Sequence, residues 1–123
     1  MLRASALNNE TDIDIQCVNG NAASADKNIE FGSLLLAFAE SIANGVAPAI
    51  TRTREALDQV AGGQIVVEAA GVAANFQRMV RIADSIGIPV DNMTTELGQG
   101  VRAELNLETF ASAQNTLAPK PNG

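Results

Sequence analysis

Residues 64–86 contain no proline and a single glycine, Gly71, and their apolar side chains recur at helical spacing. Ile65, Ala69, Val72, Phe76, Met79, Val80 and Ala83 share one stripe. At 1.5 Å per residue the segment makes a helix roughly 35 Å long. Gly62-Gly63 precede it, and Gly87 and Pro89 stop it. Its first half is also apolar elsewhere, at Val66, Val67, Ala70, Ala73 and Ala74. A helix apolar nearly all round is buried on more than one side. The pattern predicts a long central helix, or one used for oligomerisation.

The remaining material for a core is limited. The chain of 123 residues has the length of one domain. It contains no Trp, no Tyr and four Phe, at 31, 38, 76 and 110. Ala, Val, Leu and Ile must fill the interior, which brings helices close together. The net charge of −6 and the scarcity of aromatics argue against nucleic acid, which needs cations and stacking rings. They argue equally against anionic membranes. Glu40, Glu68 and Arg78 break the most apolar stretches, so no bilayer span is expected. Met1-Leu2-Arg3 leads to Asn8-Asn9-Glu10, not to an apolar run, so no signal peptide is expected and the chain reads as cytoplasmic.

Other segments follow the same logic. Residues 29–44 read as a helix with Phe31, Leu34, Leu35, Phe38 and Ile42 on one face, and Glu30, Ser33, Glu40, Ser41 and Asn44 opposite. Asp26 or Asn28 suits its start and Gly45 its end. Pro48 marks a connection to a shorter helix over 51–61, burying Ala56, Leu57 and Val60. Residues 94–105 read as a weaker helix with Leu97, Val101 and Leu105 inward. Residues 11–18 alternate like a strand, with Ile13, Ile15 and Cys17 on one side. Residues 21–26 read as loop, and 115–123 as a tail.

The chemistry available is narrow. The chain has no histidine, which removes the commonest general base and metal ligand. A single cysteine, Cys17, excludes an internal disulfide and a Cys-x-x-Cys pair. Cys17 is the one soft nucleophile, and otherwise a small apolar residue of the interior. Glu10, Asp12 and Asp14 form an acidic cluster, but Cys17 falls where a calcium loop needs glycine. A solvated acidic edge is the plainer reading, and no metal or other cofactor is expected. Arg78 and Arg81 offer a clamp for a substrate carboxylate, or an ion pair with Asp84. Glu68, in the apolar half of the long helix, is a general acid or base if buried, and an ordinary surface residue if it points outward.

A family resemblance follows from the long helix. Val72-Ala73-Ala74-Asn75-Phe76-Gln77-Arg78-Met79-Val80-Arg81-Ile82-Ala83-Asp84-Ser85-Ile86-Gly87 resembles the closing helix of the carboxymuconolactone decarboxylase / alkylhydroperoxidase D-like family. Arg81, Ala83, Asp84 and Gly87 match that helix in place, and Gln77 stands where the family often has Asn. Leu34 to Glu40 and Ile50 to Val60 resemble the helices before it, so the likeness covers about 29–91. Arg3-Ala4-Ser5-Ala6-Leu7-Asn8-Asn9 is similar to the segment that precedes the family's active site. Aligned without gaps, Glu10 and Ile13 take the two cysteine positions of the family's Cys-x-x-Cys and Cys17 the histidine position; with a short insertion, Asp14-Ile15-Gln16-Cys17 overlays Cys-x-x-Cys and keeps only its second cysteine. In either alignment there is no histidine and no resolving thiol.

The expected fold is all-α, an antiparallel helical domain of alkylhydroperoxidase D-like type. It divides into an irregular remnant of the active-site region at 1–28, a helical core at 29–91 and an extension at 92–123. The resemblance implies homo-oligomers, trimers or hexamers. Three functions compete. One is a peroxidase-like protein with residual activity at Cys17, served by an external thiol reductant. Another is a cofactorless decarboxylase-like enzyme acting on a small molecule through Glu68 or Asp14 with Arg81. The third is a non-catalytic helical oligomerisation module.

Overall fold

The computed structural model describes residues 8–9, 14–90 and 94–117. The Arg3-Ala4-Ser5 segment, Glu10, Asp12, Ile13 and the end of the tail lie outside these residues. Every regular element among the described residues is helical, so the fold is all-α. Two compact units are present, 1–79 and 80–123.

The first unit opens with a 3-10 turn, Ile15–Asn19, where alternation suggested a strand. The cause is local. Asp14 caps the turn, its Oδ1 accepting from the Gln16 backbone N–H at 3.0 Å. Gly20 closes it at φ 87°, donating its N–H to the Cys17 carbonyl. With three residues per turn, Ile15 and Cys17 no longer share a face. Ile15 is buried and Cys17 is half-buried.

Helix α1, Ala22–Asn28, occupies the segment expected as loop. Asn21 caps it, accepting from Ser24 N–H at 3.1 Å, and the alanines supply helix propensity. The Ser24 hydroxyl donates to the Asp14 carbonyl at 2.9 Å, fastening the turn to α1. Helix α2, Gly32–Asn44, is capped by Asp26, which accepts from Ser33 N–H at 2.7 Å. The start thus falls three residues later than the periodicity suggested. Gly32 is the point of closest approach. A Cβ there would lie 2.3 Å from the Ala25 carbonyl oxygen.

Helix α3, Ala47–Ala61, begins earlier than expected, because Pro48 sits in its first turn rather than in the connection. It folds back on α2. Ser41, before the Gly45 turn, meets Thr53, beyond it, with their hydroxyls 2.9 Å apart. Ser41 is therefore buried, not outward-facing, and also donates to the Phe38 carbonyl at 2.7 Å. Phe38 and Leu57 are buried around this pair. Val60 is exposed, contrary to expectation.

Helix α4, Gly63–Ile86, is the long helix. Gly87 ends it at φ 64°, with Gly87 N–H donating to the Asp84 carbonyl and Ile88 N–H to the Ala83 carbonyl. These are the paired bonds of a Schellman cap. Helix α5, Glu96–Leu105, buries Leu105 and half-buries Val101, while Leu97 faces outward. Two 3-10 turns, Leu107–Thr109 and Ala111–Ala113, lead to α6, Gln114–Leu117, inside the segment expected as tail. The Thr116 hydroxyl accepts from Val90 N–H at 2.8 Å, which ties α6 to the strand-free segment after α4.

Two glycines carry opposite predictions. Gly32→Ala drives a methyl into the Ala25 carbonyl and costs about 1–3 kcal/mol. Gly71→Ala, where nothing lies within 4 Å of an added Cβ, gains up to about 1 kcal/mol of helix stability. Urea melts of the two variants against the native chain check both signs.

Candidate functional site

Of the residues singled out by the sequence, Asp14 and Cys17 share one short turn. The Asp14 carboxylate accepts from the Gln16 N–H, and its carbonyl accepts from Ser24. The residue thus holds the turn together. Cys17 is a free, half-buried thiol whose carbonyl accepts from Gly20.

Glu68 and Arg81 are both exposed on α4. Glu68 points outward rather than into a core, and accepts from Gln64 Nε2 one turn earlier at 2.9 Å. The Arg81 carbonyl accepts a hydrogen bond from the Ser85 hydroxyl. Thirteen residues separate Glu68 from Arg81, which is about 20 Å along the helix. One small substrate cannot touch both within a chain. Arg78, proposed with Arg81 as a carboxylate clamp, donates from Nη2 to Asn75 Oδ1 at 3.0 Å. No cluster of three or more metal-ligating side chains exists among the described residues. A groove of about 440 Å³ in the C-terminal unit is lined by Gln99, Arg102, Ala103, Asn106, Glu108 and Thr109. None of the four sequence candidates borders it.

The feature that stands out is α4 itself. None of its residues is buried. The stripe read from the sequence is present, but its large members face water. Val72 is 59% exposed, Phe76 62%, Met79 54% and Ile86 69%. Ile65, Ala69 and Ala83 on the same stripe are half-buried. Positions 65, 69, 72, 76, 79, 83 and 86 alternate in steps of four and three. That is the spacing of a seam between two helices wound around each other. The flanks carry Glu68 and Asn75 on one side and Val66, Ala73 and Val80 on the other. The sequence revealed the stripe; that it is left uncovered could not be read from periodicity, which is the same for a core helix and a docking helix.

Comparison with protein-family models, with curated proteins and with solved structures returned no match. No described helix is long and apolar enough to cross a membrane.

The structural role of Asp14 is directly measurable. Asp14→Ala removes the cap and lowers stability by about 1 kcal/mol, whereas Asp14→Asn, an equally good cap, changes it by a few tenths. Urea denaturation of the two variants distinguishes capping from a catalytic carboxylate, for which both substitutions would be silent in stability.

Proposed function

We propose that this chain works by association, as a helical docking module whose contact surface is the stripe Val72, Phe76 and Met79 of α4 in the N-terminal unit. The observation that carries the reading is that a long helix, closed at its C-terminal end by Gly87, presents large apolar side chains to solvent. Exposed apolar patches of this extent on a small domain mark interaction sites. Fully burying a Val, Ile, Met or Phe side chain stabilises by about 1.5–3 kcal/mol, so covering each of these half-open residues gains roughly 1 kcal/mol. Three such residues in line give a partner a continuous strip of contact. The acidic surface keeps the chain soluble while the stripe is uncovered.

A second reading rests on Cys17. Its thiol is free and partly exposed, as a peroxide-reactive residue requires. The thiolate would attack peroxide to give a sulfenate, and an external dithiol would reduce it. Peroxide consumption with a dithiol reductant, native chain against Cys17→Ser, separates the readings. The docking reading expects equal, negligible rates. Turnover lost in the Ser variant would carry the peroxidase reading of the resemblance instead.

The docking reading makes its own prediction at concentrations too low for association. There, Phe76→Asp changes the urea midpoint by the equivalent of less than about 0.5 kcal/mol, as an open surface site does. Leu57→Ala, fully buried between α2 and α3, costs about 2–5 kcal/mol under the same conditions. If Phe76→Asp costs as much as Leu57→Ala, the stripe belongs to the chain's own core and the docking reading falls.

A further inference from the structure

We propose that Gly62 is a hinge at which the chain exchanges between two forms. One is the bent form of this structure, with α3 and α4 as separate helices. In the other they run on as a single helix through residue 79. The hinge is independent of the docking stripe and involves α3 and residues 63–79 of α4, all within the N-terminal unit.

One residue separates the two helices, since α3 ends at Ala61 and α4 begins at Gly63. Gly62 already serves both hydrogen-bond ladders. Its N–H donates to the Asp58 carbonyl at 2.9 Å, as the next residue of α3 would. Its carbonyl accepts from Val66 N–H at 3.3 Å, as the residue before α4 would. The break therefore lies in its two dihedrals, φ 86° and ψ 160°. That region belongs almost wholly to glycine. Turning this one residue to helical values keeps both bonds. It also brings the N–H groups of Gly63, Gln64 and Ile65 under the carbonyls of Gln59, Val60 and Ala61. Those donors and acceptors lie outside either ladder while the helices are separate.

Packing does not hold the bend. Among the described residues nothing lies within 4 Å of a Cβ added at Gly62, so no neighbour clamps the hinge. The packed pairs of the N-terminal unit are the Ile15–Asn19 turn with α1, α1 with α2, and α2 with α3. Helix α4 enters no such pair among the described residues, and none of its residues is buried. Straightening thus gives up no core contact. What favours the bend is electrostatic and conformational. A Cβ added at Gly63 would lie 3.4 Å from Asp58 Oδ1, so this carboxylate stands at the first turn of α4. There it meets the positive end of the helix dipole. In a continuous helix that end is gone, and two glycines in the helix interior weigh against it. These terms oppose three new backbone hydrogen bonds, and each side is small enough to keep both forms populated. A ligand that binds one form more tightly shifts the balance, which makes the junction a point of control.

The test uses the full chain in a Cys17→Ser background, with spin labels at Thr51→Cys and Ala74→Cys, both exposed positions. Dilution with unlabelled protein ensures that only distances within one chain are read. A continuous helix sets the two sites about 35 Å apart, and the bent form sets them closer. With Gly62 in place, both distances should be present. Gly62→Ala disfavours the bent dihedrals and favours helix, so it should multiply the ratio of long to short distance roughly thirtyfold or more. Asp58→Ala should raise the same ratio about two- to fivefold. A single distance with Gly62 in place, short or long, overturns the exchange. A Gly62→Ala chain that keeps the short distance overturns Gly62 as the hinge. If Gly62→Ala does not fold, the Asp58→Ala chain decides, and a ratio unchanged by that substitution overturns the proposal.

Discussion

The contact between Gly32 and the Ala25 carbonyl sets the rest of the N-terminal unit. It brings α1 and α2 to within backbone contact, nearer than any side chain allows. Asp26 then reaches Ser33 and caps α2 from the neighbouring helix. The chain enters α2 through Phe31, a non-glycine residue in the left-handed region at φ 59°. That conformation is unfavourable for a bulky side chain, and the close approach on its far side holds it. With α2 so placed, Phe38 and Ser41 receive Leu57 and Thr53 from α3, and the unit's centre is complete.

This centre is small. Among the described residues Ile15, Ala25, Phe38 and Leu57 are its buried apolar members, and Leu105 holds the same place in the C-terminal unit. A chain without Trp or Tyr cannot make one side chain cover much area. The polar members matter in proportion. Ser24 and Ser41 are both buried and both hydrogen-bonded to main-chain carbonyls of an adjoining turn. They work as fasteners where a richer chain would use bulk.

The sequence was informative where the signal was periodic or carried by punctuation. The long helix, its ends at Gly62-Gly63 and Gly87 and the Gly45 stop were legible, because each depends on local backbone chemistry; Asp26 was one of two candidates for the start of α2, and its reach to Ser33 from the neighbouring helix decides between them. The segment 14–28 was not. Its alternation of Ile and polar residues fits a strand as well as a short 3-10 turn, and the Asp14 and Asn21 caps decide between them only once both are placed. Ser41 was misread because a polar residue on a helix is outward by default; the Thr53 hydroxyl, twelve residues on, reverses that. At the candidate site the same limit applies. Glu68, Arg81, Asp14 and Cys17 were chosen for what their groups can do, and spacing along α4 alone separates the first two by too much for joint chemistry. The stripe was visible as a pattern, but whether its cover comes from within the chain is a property of the whole fold.

The order of packing also has a consequence in time. In the N-terminal unit each element packs on its neighbour in sequence: the Ile15–Asn19 turn on α1, α1 on α2, α2 on α3. Contacts this local form in microseconds to milliseconds. A ribosome adds roughly 5–20 residues per second, so each new residue takes tens of milliseconds or more. Every helix up to α3 can therefore settle on the one just made before the next emerges. When α4 leaves the exit tunnel, the turn and the three helices before it have already packed on one another. The N-terminal unit therefore has its helix order settled by synthesis itself, without waiting for residues that lie far along the chain.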